Sequence, residues 1–84
     1  SKESTGDLPK PEGYLQALGG KENIESVTNC VTRLRVTVKN EELVAPESIF
    51  KKYGALGLVH KGNNIQIIDG TNVTFTREEF EELL

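Results

Sequence analysis

The sequence lacks the features that would insert a chain into a membrane, cross-link it or build a metal centre. No segment approaches the ~20 consecutive apolar residues that a bilayer-spanning helix needs. The single cysteine, Cys30, cannot form an internal disulfide, and one cysteine with one histidine cannot fill a tetrahedral metal site. We therefore expect no direct membrane insertion, no metal, no cofactor and a reducing intracellular setting.

Positive charge is also scarce, since the 84 residues carry a formal net charge of -3. Affinity for the nucleic-acid backbone comes mainly from clustered Lys and Arg, so the balance argues against a nucleic-acid partner. A small RNA-binding α/β domain is disfavoured further because no aromatic residue falls on the open face of a predicted strand. With 36% hydrophobic residues, a chain of this length buries one modest core. We expect one domain that is monomeric when isolated.

The first residues differ in composition from the rest of the chain. Residues 1–11 are rich in Ser, Thr, Gly, Asp and Pro, with Leu8 as their only large apolar residue. Such a segment buries too little apolar surface to offset the entropy of ordering it. We predict a linker over residues 1–11 and a single domain over residues 12–84.

Hydrophobic periodicity and turn residues predict the order helix, hairpin, helix, hairpin, helix. Hairpins exposed on both faces are unstable alone, so the predicted fold class is α+β, with one four-stranded antiparallel sheet covered on one face by three helices, in the order α-β-β-α-β-β-α. The predicted elements are a helix from 11 or 12 to 18, strands over 25–29 and 33–38, a helix over 46–53, strands over 56–61 and 65–69, and a last helix after residue 76.

The last helix carries a local start signal. Thr76 followed by Glu79 predicts a capping box, and Phe75 with Phe80 predicts a hydrophobic staple across it. Its acidic residues are typical of a solvated face. The predicted buried residues are Phe80, Leu83 and Leu84.

The candidate site is built around Cys30, Arg33 and Arg35. Alternation along the second strand places both arginines on the face opposite its apolar residues, with the cysteine just before the strand. A thiol beside positive charge favours the nucleophilic thiolate, and guanidinium forks suit the oxygens of a phosphoryl group. The alternative is that the cysteine is a small buried hydrophobe and the arginines mark a solvated face.

Four stretches give the sequence a resemblance to a known family, in the family's order and at similar spacings. From residue 14 to about residue 70, the chain resembles the enzyme IIB domain of the bacterial glucose-type sugar phosphotransferase system. The matching stretches are residues 18–24 (LGGKENI), 30–35 (CVTRLR), 53–59 (YGALGLV) and 65–68 (IQII) with Gly70.

The resemblance implies a phosphoryl carrier. Cys30 would receive a phosphoryl group from a phosphohistidine of enzyme IIA and pass it to a sugar bound by the membrane enzyme IIC. Arg33 and Arg35 match family arginines needed for transfer to sugar, Thr32 adjoins them in the turn, and Gln66 matches a glutamine near the phosphate. The family's open sheet face and cysteine loop are where its partners approach. The implied location is cytoplasmic, within a membrane-bound transporter complex.

Two alternatives accompany this interpretation. A regulatory or interaction domain of the same fold would not transfer a phosphoryl group, although the presence of Cys30 with both arginines favours the carrier. His60 suggests a Cys/His hydrolase, but no third group that would orient it is visible in the sequence, so we predict a structural surface residue. Many family members have an acidic residue or histidine immediately or nearly before the cysteine. Asn29, which precedes Cys30 here, can keep a hydrogen bond but contributes no charge.

Overall fold

The computed structural model describes residues 9–84, and its elements follow the predicted order. Residues 1–8 of the predicted linker lie outside the described residues, so the division into linker and domain stays a prediction. Short 3-10 turns occupy Lys21–Asn23 and Glu41–Leu43. The elements are α1 (Lys10–Ala17), β1 (Ile24–Asn29), β2 (Arg33–Val38), α2 (Glu47–Lys52), β3 (Gly57–Lys61), β4 (Asn64–Ile68) and α3 (Val73–Glu82).

The four strands form one antiparallel sheet in the order β1-β2-β4-β3, which confirms the predicted α+β fold. The two central strands alternate as their sequences predict, with one face buried under the helices and the other open. Arg35 lies opposite Gln66 on the open face. The buried residues of the central strands are Leu34, Val36, Val38, Ile65 and Ile67.

The first two helices begin and end where proline, glycine and charge favour it. Pro11 lies in the first turn of α1, where its missing N–H costs no hydrogen bond, and Gly19 follows the helix with a φ of 105°. Pro46 precedes α2, whose last turn carries Lys51 and Lys52 at the negative end of the helix dipole. Both helices differ from the predicted bounds by only one or two residues at their ends.

The start predicted for the last helix is wrong. Thr76 is not the cap but lies within α3, buried, with its hydroxyl donating to Asp69 Oδ2 at 2.8 Å. The predicted staple is also absent, because Phe75 is 68% exposed. Of the predicted buried residues, Phe80 is fully buried, Leu83 is half-buried and Leu84 is exposed. The helix begins four residues earlier than predicted because Val73 packs into the core, so tertiary burial overrides the local capping signal.

A close approach between α1 and α2 depends on Gly13. A Cβ added at this position would lie 2.3 Å from Cδ1 of the buried Tyr53 ring. We expect Gly13→Ala to lower the free energy of unfolding by about 1–3 kcal/mol, because overpacking outweighs the better helix propensity of alanine. Urea unfolding measures the change. The control is Gln16→Ala on the exposed side of the same helix, expected within about 0.5 kcal/mol of wild type. A Gly13→Ala protein as stable as this control would contradict the packing argument.

Tyr14 and Asp69 connect the helical layer to the sheet. The Tyr14 hydroxyl donates to Asp69 Oδ1 at 2.8 Å, and both side chains are buried. Desolvation, followed by the hydrogen bond and the charge of Asp69, raises the pKa of Tyr14 far above its ordinary value near 10. The phenol therefore keeps its proton in the folded state.

This raised pKa predicts a loss of stability in alkali. Above about pH 10 the unfolded chain releases the Tyr14 proton and the folded chain keeps it, so stability falls by about 1.4 kcal/mol per pH unit from this group. The Tyr14→Phe variant has no phenol to ionise at this position, so this part of the loss of stability in alkali is absent from it. Urea unfolding of both proteins at about pH 8 and about pH 11 should show the wild type losing more stability than the variant over this interval. Equal losses in the two proteins would contradict the prediction.

Candidate functional site

The cysteine lies at the tip of the first hairpin. Residues 30–32 connect β1 to β2, and the Cys30 N–H donates to the Arg33 carbonyl at 2.9 Å, closing the turn. The thiol is exposed, and the neighbouring Val31 is 80% exposed. The prediction of an exposed cysteine after the first strand is confirmed, and the alternative of a buried core cysteine is wrong.

The turn surrounds the sulfur with hydrogen-bond donors. Desolvation raises the pKa of the Cys30 thiol, but the backbone N–H groups of Arg33, Thr32 and Val31 lower it, as does the charge of Arg35. The lowering effects prevail, so the pKa of the thiol lies below its ordinary value. Successive backbone N–H groups around one point form an anion-binding nest. The same donors that favour a thiolate would suit the oxygens of a group attached to the sulfur.

The two arginines share the open face but differ in their contacts. Arg33 Nη1 donates to Gln66 Oε1 at 2.9 Å, so its guanidinium is held against β4. Arg35 is exposed, and its side chain forms no hydrogen bond or ion pair with another residue in the range 9–84. Of the two arginines, Arg35 is the one whose charge lowers the pKa of the Cys30 thiol. The structure thus brings together all five predicted site residues. They are Cys30 and Thr32 in the turn, Arg33 and Arg35 in β2 and Gln66 in β4.

A shallow cleft of about 390 Å³ runs along the open face beside Arg35. Its polar lining comes from adjacent strands, because Thr28 lies opposite Arg35 and Ser26 lies opposite Thr37. No acidic side chain lines it, so the cleft is electropositive although the whole chain is acidic. The lining residues are Ser26, Thr28, Arg35, Val36, Thr37, Lys61, Asn64, Ile65 and Gln66.

A third arginine contacts the turn from α3. Arg77 Nε donates to Asn29 Oδ1, and Asn29 Nδ2 donates to the Cys30 carbonyl at 2.9 Å. Arg77 also pairs with Glu81 at 2.8 Å. Arg77 was not predicted from the sequence, where its one distinguishing signal is that it is the only basic residue of the helix. Asn29 thus links this arginine to the backbone of the cysteine.

A further contact to the turn comes from the residues after β4. The backbone N–H groups of Asp69 and Gly70 donate to the Thr32 carbonyl at 2.8 and 3.0 Å. The Gly70 φ of 100° is left-handed, a conformation that glycine adopts without strain. Asp69 was not predicted as a site residue either, although it was visible as an acidic residue at the end of the predicted apolar strand.

His60 lies away from this group of residues. It pairs with Ile65, whose side chain is buried, whereas Val59 pairs with Gln66 of the open face. Its Nε2 lies 3.0 Å from Glu41 Oε1, near the end of the sheet opposite the cysteine. This geometry fits the predicted structural surface role.

Neither a metal-binding group nor a membrane-spanning helix is present within residues 9–84. Within residues 9–84, no group of three or more His, Cys, Asp or Glu side chains is placed to hold a metal ion. Over the same residues, no helix has the length and apolar character needed to cross a bilayer.

Comparisons with known proteins agree with the geometry. The family described as "phosphotransferase system, EIIB" matches residues 12–44. The chain is 52% identical over 71 residues to the maltose-specific EIICB component of Bacillus subtilis, covering 84% of this chain and 14% of that protein. It is 41% identical over 78 residues to the phosphotransferase enzyme IIB component GlvB of Escherichia coli, covering 93% of this chain and 48% of GlvB.

A solved structure is matched over a larger share of its own length than either of these relatives. One domain of the PTS system IIabc component from Clostridium difficile superimposes with a TM-score of 0.69 at 32% identity, covering 87% of this chain and 77% of that one. Fold and turn together define a small α+β domain that presents an exposed thiol in a turn whose backbone N–H groups lower the pKa of that thiol. The chain belongs to the glucose-type EIIB family of the phosphotransferase system.

Proposed function

We propose that this chain is a cysteine phosphoryl carrier of a sugar phosphotransferase system. Cys30 accepts a phosphoryl group from a phosphohistidine of enzyme IIA and passes it to a sugar during uptake through the membrane enzyme IIC. The observation that carries the proposal is the exposed Cys30 thiol in a turn whose N–H groups lower its pKa. A lowered pKa raises the fraction of the thiol that is present as the nucleophilic thiolate.

The proposed reaction has two displacements at phosphorus. In the first, the Cys30 thiolate attacks the phosphorus, an S–P bond forms, and the P–N bond to the IIA histidine breaks with the imidazole leaving. In the second, a sugar hydroxyl attacks, an O–P bond forms, the S–P bond breaks, and the hydroxyl proton passes to a base or to solvent. Cys30 returns to the thiolate.

The surrounding residues would stabilise charge on the transferring group. Enzymatic phosphoryl transfer depends mainly on positioning and electrostatic stabilisation. Arg35, with no recorded protein partner among the described residues, presents its donor fork to the phosphoryl oxygens. Arg33 is oriented by Gln66, and the Thr32 N–H contributes to the nest.

The relatives support the proposed partners and location. The matched proteins from Bacillus subtilis and Fusobacterium mortiferum are named EIICB components, and the chain spans 14% of each. We infer that this domain works on the cytoplasmic side of the membrane beside an enzyme IIC. Sugar choice then lies in the IIC domain. Maltose is the first sugar to test, because the Bacillus subtilis relative is named as maltose-specific.

Intact-mass measurement tests the proposal directly. The chain is incubated with phosphoenolpyruvate, the general phosphotransfer proteins and a matching IIA, and we expect the mass of one phosphoryl group to be added, on the peptide that contains Cys30. Omitting IIA is the control and should abolish the gain. An unmodified chain beside a fully phosphorylated IIA would contradict the proposal and favour a non-transferring regulatory domain.

A further inference from the structure

Asp69 holds together three elements around the cysteine turn. Its side chain is completely buried, and both carboxylate oxygens are used. Oδ1 accepts from the Tyr14 hydroxyl at 2.8 Å and lies 3.0 Å from Lys10 Nζ, and Oδ2 accepts from the Thr76 hydroxyl at 2.8 Å. A buried carboxylate with three donors has little freedom to move, so it fixes the chain that follows β4 against α1 and α3.

The fixed segment acts on the turn through its backbone. The N–H groups of Asp69 and Gly70 both donate to the Thr32 carbonyl. That carbonyl and the Arg33 N–H belong to one planar, trans peptide group and point in opposite directions. Holding the carbonyl from one side therefore aims the Arg33 N–H to the other side. A hydrogen bond from this N–H is the first of the causes that lower the pKa of the Cys30 thiol.

We propose that Asp69 is a positioning residue for phosphoryl transfer: its buried carboxylate fixes residues 69–70, and these orient the peptide group between Thr32 and Arg33 so that its N–H faces the Cys30 sulfur. The inference deepens the proposed function, since the same N–H would donate to a phosphoryl group on Cys30. Asp69 touches neither the sulfur nor the transferring group in this role.

A direct electrostatic role would have the opposite sign. Charged groups near the turn include Arg33 and Arg35 from β2, Arg77 from α3 with its partner Glu81, and the buried Asp69 with its partner Lys10. Of these, Arg35 is the group whose charge acts on the Cys30 pKa. If Asp69 acted by its negative charge, neutralising it would lower the pKa of the thiol. If Asp69 acts by positioning, neutralising it loosens the nest and raises that pKa.

The test is Asp69→Asn, with the rate of Cys30 alkylation by iodoacetamide measured against pH. We expect the midpoint of the profile to rise by about half a pH unit or more as the donors lose their alignment. Phosphoryl acceptance from phosphorylated IIA should fall about tenfold or more, because misplacement by a fraction of an ångström is costly in transfer reactions. A folded Asp69→Asn protein with an unchanged or lowered midpoint would overturn the proposal.

Two further variants separate positioning from stability. Val38→Ala removes core packing at the end of β2 far from the turn, so it should lower stability and leave the alkylation midpoint unchanged. Thr76→Val removes one of the three donors to the Asp69 carboxylate. It should raise the alkylation midpoint less than Asp69→Asn does. If Asp69→Asn does not fold, Thr76→Val is the variant that tests the proposal. An unchanged midpoint in folded Thr76→Val would then reject the proposal. Alkylation needs no partner protein, so failure of the wild type to accept a phosphoryl group would reject the proposed function separately.

Discussion

Cys30→Ser is expected to fold like the wild type and to carry no phosphoryl group to sugar. The side chain is exposed at the hairpin tip, and the hydrogen bond that closes the turn uses the backbone of residue 30, so the substitution removes no packing. The chemistry depends on ionisation instead. A serine hydroxyl is scarcely ionised at neutral pH, whereas this thiol has a lowered pKa and sulfur is intrinsically nucleophilic. Thermal unfolding and sugar phosphorylation in a complete IIA, IIB and IIC system measure the two effects.

A displaced thiol provides the matched control for this experiment. Ser26 lies on the open face of β1, the strand that precedes the turn, and it lines the cleft away from the turn. In the double variant Cys30→Ser, Ser26→Cys, a cysteine is present without the N–H nest, so phosphoryl flow should stay abolished. Flow that survives in Cys30→Ser alone would show that the thiol is not the carrier. His60 would be the next residue to replace, although its pairing with Glu41 places it near the other end of the sheet.

The sheet was predictable because its signals are local and repeat with a period of two. Leu34 and Val36 alternate with Arg33 and Arg35, and the hairpin turn at Gly62 sets the register of β4. Because the apolar face of the sheet must be buried, the helices have to cover that face. The same local logic located Cys30 at a hairpin tip and placed both arginines on the open face.

The errors and omissions arise from contacts between distant parts of the chain. Thr76 has the sequence of a capping residue, but its hydroxyl bonds to Asp69 across the layer, and the helix extends past it. Tyr14 and Asp69 are 55 positions apart, and Arg77 and Asn29 are 48 apart. No periodicity in one sequence pairs such residues. The position and exposure of the thiol were therefore predictable, whereas the residues that hold the turn in place were not.

Arg35→Lys is expected to slow transfer from Cys30 to sugar by about 10²-fold, the scale of losing one preorganised donor. Lysine keeps the positive charge, so the thiol should remain reactive and accept the phosphoryl group from IIA. It lacks the planar fork that can bind two phosphoryl oxygens at once, and Arg35 is the guanidinium with no recorded partner among the described residues. Arg33→Lys should act in the same direction with a smaller effect, because one of its N–H groups already serves Gln66.

Lys61→Ala is the matched control for charge on the open face. Lys61 lines the same cleft but lies at the end of the sheet opposite the cysteine, so its loss removes positive charge without touching the turn. Rapid-quench measurement of phosphoryl loss from preloaded Cys30, with IIC and sugar present, should show a rate within about twofold of wild type for this variant, since it removes no donor near the transferring group. If Arg35→Lys also transferred at the wild-type rate, a point charge would suffice at this position. If Lys61→Ala slowed transfer as much as Arg35→Lys, the cleft would act through its overall field and not through the geometry of one guanidinium.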